Sequence, residues 1–172
     1  MFTIESLRAA RLVAAHIGGQ ISGSFIVDPD TAKDIDIFCS VSQFNCAAAR
    51  RKWPRTDKIT VAGTTLLDSW ATGREYYESN NTDDALYTTY RSEDGEINLI
   101  VVHDAYMLAF QISANRMRAC PHKYKTKEAR VALHHRWRER IRKYLSDAAA
   151  KDDSLHPDTD PMPDGWPYNI SL

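Results

Sequence analysis

Apolar residues recur at near-helical spacing from Thr3 to Ile17, at Ile4, Leu7, Leu12 and Val13, and the run stops at Gly18-Gly19. The pattern predicts an amphipathic helix closed by a glycine cap. The period then changes. In Asp34-Ile35-Asp36-Ile37-Phe38 acidic and apolar residues alternate, which predicts a strand with Ile35 and Ile37 in a core and both acids on the opposite face. Ser42 is placed to cap a helix through Ala49 and Trp53, ended by Pro54, and Ile59 to Val61 reads as a short strand. Gly63 to Asp84 is the least legible stretch: Leu66, Leu67 and Trp70 suggest one or two helical turns, and Tyr76-Tyr77 fits no pattern. Ala85 to Tyr90, the turn Ser92-Glu93-Asp94-Gly95 and the segment Glu96 to Val102 read as a hairpin. Asp104 is placed to cap a helix through Met107, Leu108, Phe110 and Ile112 toward Met117, broken at Cys120-Pro121. Thr126 then caps a long helix to about Ala150, with Val131, Leu133, Trp137, Ile141 and Leu145 as its apolar stripe. These elements predict an α/β fold, a small mixed sheet flanked by helices on one side, with a long basic C-terminal helix. Residues 1–150 form the domain. Residues 151–172, with four prolines and five aspartates, form an acidic Pro-rich tail.

The two acids carry the chemistry of this pattern. Two carboxylates on one strand face raise each other's pKa, and such a site recruits a cation; hard oxygen donors suit Mg²⁺, which keeps waters and accepts phosphate oxygens as ligands. Upstream, Gly23 exposes its N–H with no Cβ in the way and Ser24 adds a hydroxyl, so Ile21-Ser22-Gly23-Ser24 is a turn fit for an anion. Acids on an exposed edge strand, facing water, would give the same alternation.

This arrangement resembles the polymerase-β-like nucleotidyltransferases, whose signature is an apolar residue, Gly, Gly or Ser, a gap, then Asp-apolar-Asp/Glu-apolar. Here Ser22-Gly23-Ser24 is followed, after a gap of nine residues, by Asp34-Ile35-Asp36-Ile37, with Ser22 where an apolar residue is common. The Ile97-Asn98-Leu99-Ile100-Val101 strand, followed by a helix and a basic segment, is similar more narrowly to compact phage-type members. The resemblance implies a nucleotidyltransferase-like fold and transfer of an NMP from an NTP to a hydroxyl acceptor such as RNA or protein. It implies metal ligation (Mg²⁺ or Mn²⁺) by Asp34 and Asp36, and triphosphate binding by Gly23 and Ser24. Lys33, directly before the acids, either contacts phosphate or is a surface lysine. The third acid of the family is where the chain departs: Asn98 fills that slot, and its neutral amide can orient a metal-bound water as a catalytic-site residue but cannot act as a general base. Glu96, expected to project to the same face as Asn98, is the substitute candidate, or else a hairpin flank. Asn98 also favours a second reading, a catalytically inert nucleotidyltransferase-fold protein that binds nucleotide or nucleic acid, for instance a phage effector against a host system.

Charge adds one further feature. Residues 1–112 carry net −5, residues 113–145 net +9 and residues 146–172 net −5, which the overall −1 conceals. The basic block includes Arg116, Arg118, Lys123, Lys125, Lys127 and Arg130. It can solvate a helix face, meet the acidic tail, or bind the phosphates of RNA. Cys120-Pro121-His122 and His134-His135 lack four-ligand zinc spacing. Three cysteines without a CxxC pair, no signal-peptide pattern and no long apolar run predict a soluble protein with reduced thiols in a cytoplasm, the host's if the chain is phage-encoded.

Overall fold

The computed structural model describes residues 2–47, 58–68, 87–102 and 104–151. The readings placed on Ala49, Trp53, Pro54, Trp70, Tyr76, Tyr77 and the tail from residue 152 lie outside them. Helix α1 (Ile4–Ile17) leads to the short strand β1 (Gln20–Ser22) and then to β2 (Ile35–Ser40) and helix α2 (Val41–Ala47). Two hairpin-forming pairs follow, β3 (Lys58–Val61) with β4 (Thr64–Asp68) and β5 (Tyr87–Ser92) with β6 (Ile97–Val102). Helices α3 (Met107–Ala119) and α4 (Lys127–Lys151) close the order. The strands form one mixed sheet in the order β1-β2-β6-β5-β4-β3, with β2 and β6 parallel at its centre and every other pairing antiparallel.

Helices cover both faces of the sheet, where one helical side was expected. On one face α1 lays Ala10, Val13, Ala14 and Ile17 over Ile35, Ile37, Ile97, Leu99 and Val101. On the other, α3 and α4 bring Phe110, Met117, Leu133, Trp137 and Ile141 onto Phe38 and Val102. The alternation of β2 and β6 is the cause: odd positions feed the first core and even positions the second, so a sheet this apolar on both faces needs two layers. Each fully buried side chain here, Ile35, Ile37, Phe38 and Leu99 among them, contributes about 1.5–3 kcal/mol by leaving water.

Local chemistry fixes the element ends. Gly18 ends α1 in the left-handed region, as the pattern predicts, and at the other end the Thr3 hydroxyl caps the helix by accepting from the Ser6 N–H at 3.0 Å. The start of α2 differs. Ser40, not Ser42, is its cap: the Gln43 N–H donates to Ser40 Oγ at 3.1 Å and the Ser40 N–H donates to Gln43 Oε1 at 2.8 Å, a reciprocal capping box. Asp104 serves this helix as well, accepting from the Ser42 N–H at 3.0 Å and from the Ser42 hydroxyl, instead of capping α3. Thr126 caps α4 as expected, accepting from the Ala129 N–H at 3.2 Å. Within α4, Leu133, Trp137 and Ile141 form the buried stripe while Val131, two positions out of phase with Leu133, is exposed. Leu66 and Leu67 belong to a strand, not to helical turns. Their pairing with Ser92 and Arg91 across β5 overrides a local pattern that carried little information.

Candidate functional site

Pairing register assembles a polar row across four strands. Ser22 of β1 lies opposite Asp36 of β2, Asp36 opposite Asn98 of β6, and Asn98 opposite Arg91 of β5. Residues directly opposite in neighbouring strands share a face, so a hydroxyl, a carboxylate, an amide and a guanidinium stand side by side. They occupy the face covered by α3 and α4, at the end where β2 and β6 begin. Farther along the same strands Phe38, Ile100 and Val102 pack under those helices. The even face is thus split between a polar mouth and an apolar floor.

Hydrogen bonds fix the two acids. Asn98 Nδ2 donates to Asp36 Oδ1 at 2.9 Å. Asp34 stands one residue before β2, yet its carboxylate reaches the same row: Arg91 Nη2 donates to Asp34 Oδ2 at 2.8 Å, a half-buried ion pair. The guanidinium is held in turn by the Gly95 carbonyl, which accepts from Nε at 3.2 Å and from Nη2 at 3.0 Å. Burial, and then the neighbouring negative charge of Asp34, push the Asp36 carboxyl up to about 7, against the opposing pull of the Asn98 hydrogen bond and the Arg91 and Arg130 charges.

Gly23 is built into this site. It has φ 72° and ψ −154°, a region open to glycine alone, and a Cβ placed on it would lie 1.9 Å from Asp36 Oδ2. The glycine turn and the second acid are therefore in direct contact across the β1–β2 pair. Ser24 opens a single 3₁₀ turn (Ser24–Ile26) whose carbonyl accepts from the N–H groups of Val27 and Asp28. Lys33 is exposed at the rim. Ser22, 3% exposed, keeps its Oγ without a hydrogen-bond partner while lying opposite Asp36. Its hydroxyl was missed as a site group; its presence where the signature commonly has an apolar residue was the available signal.

Glu96 is not part of this group. Its carboxylate accepts from the Ser6 hydroxyl of α1, on the far face of the sheet, beside Thr3, Thr64 and Asp94. The expected alternation with Asn98 fails because β6 starts at Ile97, leaving Glu96 in the turn, free of the strand's period, where its N–H donates to Asp94 Oδ1. Among the described residues, no group of three His, Cys, Asp or Glu side chains comes together as a metal site.

The basic residues separate into two sets. Arg118 of α3 donates to the Ile21 carbonyl, next to Ser22, and Arg130 of α4 anchors on the Tyr124 and Lys125 carbonyls at 2.9 and 2.7 Å while its charge acts on Asp36. Arg116 is half-buried near the end of α3, whereas Lys123, Lys125 and Lys127 are exposed. His134 packs against Phe110 at 5.1 Å, and burial with the charges of Arg138 and Arg130 holds its imidazole down to about 4, while His135 is exposed. No helix among the described residues is long and apolar enough to cross a membrane. No family model, curated protein or solved structure matches the chain.

Proposed function

We propose that this chain is a divalent-cation-dependent nucleotidyltransferase with a nucleotidyltransferase-like fold, moving an NMP from an NTP to a hydroxyl acceptor. The observation that carries the reading is the contact of Gly23 with Asp36, which sets the glycine turn proposed to take phosphate beside the acid proposed to hold the cation. Asp34 and Asp36 would hold Mg²⁺ or Mn²⁺, with waters and phosphate oxygens completing a shell that two protein carboxylates leave open. When bound, the cation supplies charge stabilisation to the departing pyrophosphate. The chain's own residues do the placement. Gly23 leaves room for the Asp36 carboxylate directly beside the turn, Ser24 and Ser22 offer hydroxyls, and Arg118 and Arg130 set positive charge at the same opening. The exposed lysines at 123, 125 and 127 extend that charge outward, toward an RNA acceptor.

The test is incubation with each α-labelled NTP, Mg²⁺ or Mn²⁺, and RNA or protein acceptors. Label transfer by the unaltered chain and its loss, by at least about 100-fold, in Asp36→Asn is the expected result; transfer that survives the substitution overturns the reading. A second reading, an inert nucleotide- or nucleic-acid-binding protein of the same fold, is favoured by one observation: Asn98 holds the third slot and Glu96 is engaged with Ser6, so among the described residues no third carboxylate stands there to take the acceptor's proton. Nucleotide binding without transfer under any of these conditions decides for it.

A further inference from the structure

We infer that the site takes a single divalent cation, not a pair, because Asn98 and Arg91 each occupy one oxygen of the two acids; this rests on the nucleotidyltransferase reading above. A two-cation site places its ions about 3.5–4 Å apart and needs carboxylates that bridge, with both oxygens of an acid open or a third acid alongside. Among the described residues neither condition holds. Asp36 Oδ1 faces the Asn98 amide N–H at 2.9 Å, and Asp34 Oδ2 faces the Arg91 guanidinium at 2.8 Å. Arg91 is itself pinned by two hydrogen bonds to the Gly95 carbonyl, so its positive charge stays where a second cation would have to sit. Glu96 is held by Ser6 on the other face.

What remains for a cation gathers around Asp36. Its Oδ2 lies against Gly23, Asp34 stands two residues earlier and reaches the same polar row through Arg91, and the buried, unpartnered Ser22 hydroxyl lies opposite Asp36 in register. Two carboxylate oxygens and a hydroxyl suffice for one hard cation that draws its other ligands from water and a triphosphate. Asn98 thereby becomes the residue that limits the count, and restoring an acid at its position should add a second cation.

Equilibrium dialysis of the unaltered chain with Mn²⁺ and each of the four α,β-methylene ribonucleoside triphosphates, counting protein-retained Mn²⁺ by electron paramagnetic resonance and retained nucleotide by absorbance, reads the ratio directly. A ratio of about one Mn²⁺ per bound nucleotide is expected, rising about two-fold in Asn98→Asp. A ratio near two in the unaltered chain overturns the inference and leaves the transferase reading intact. Failure to retain any of the four nucleotides removes both. The count on the unaltered chain decides the matter even where Asn98→Asp does not fold; a folded Asn98→Asp chain that still holds one removes Asn98 from its assigned role.

Discussion

Asp36 pits function against stability at a single residue. Its carboxyl is ordinary in the unfolded chain, with a pKa near 3.8, and is pushed up to about 7 in the fold by burial and Asp34. The folded chain therefore binds more protons than the unfolded chain between those values. The stability that this one carboxyl contributes is fully present below about pH 4 and is lost as pH rises through 7, the reverse of a salt-bridged aspartate. Asp36→Asn removes the titration while keeping an oxygen to accept from Asn98, so it should stabilise the protein, by on the order of 3 kcal/mol at pH 8 and by distinctly less at pH 5. Urea unfolding at both pH values measures this. A gain that does not grow with pH would mean that Asp36 is not buried as an anion at all. At this scale the sequence was legible for Asp34, Asp36 and Gly23 by their spacing, and for Asn98 only through the family resemblance. It was not legible for Arg91 or Ser22, because a strand residue's partners across the sheet are set by register, which no local pattern encodes.

Among the elements, the periodic ones and the short strand β3 were readable, and the hairpin that β3 makes with β4 was not. Its turn, Ala62-Gly63, has φ 48° and 80°, the two positive values of the tight turn that suits twisted antiparallel strands. The usual sequence for such a turn starts with Asn or Asp; alanine in the left-handed region costs about 1 kcal/mol, and it hides the turn from a reader of the sequence. Ala62 is exposed, so Ala62→Gly removes that cost without disturbing any packing. A gain of about 0.5–1 kcal/mol is expected, visible as a Tm higher by a few degrees in calorimetry. An unchanged or lowered Tm would argue that the alanine side chain makes a contact that offsets the strain. The capping box of α2 shows a different limit: Ser40 and Ser42 both suit a helix start, and only the end of β2 decides between them.

For the whole molecule, the polarity of charge along the chain becomes a spatial arrangement. The acids of the mouth lie under a rim that α3 and α4 supply, with Arg118 and Arg130 turned inward onto backbone carbonyls and the lysines at 123, 125 and 127 exposed. On the proposed reading the lysines meet an RNA acceptor, and replacing all three with glutamine should lower the slope of log affinity against log salt by about 2, at roughly 0.7 per phosphate contact for single strands. Fluorescence anisotropy with a short labelled RNA from 50 to about 300 mM salt tests it. An unchanged slope would assign the lysines to solvation instead.

What the sequence determined by itself was the set of periods: an amphipathic first helix, an acid-apolar strand behind a glycine turn, a hairpin ending in an apolar strand, and a long basic helix. Those follow from local spacing, because side-chain direction repeats every 2 or 3.6 residues wherever the element forms. Only the tertiary structure decided that helices cover both faces, that Glu96 belongs to the α1 side and that Arg91 grips Asp34. Each of these depends on where one strand starts relative to its neighbour, and a shift of one residue in that start turns every side chain to the opposite face.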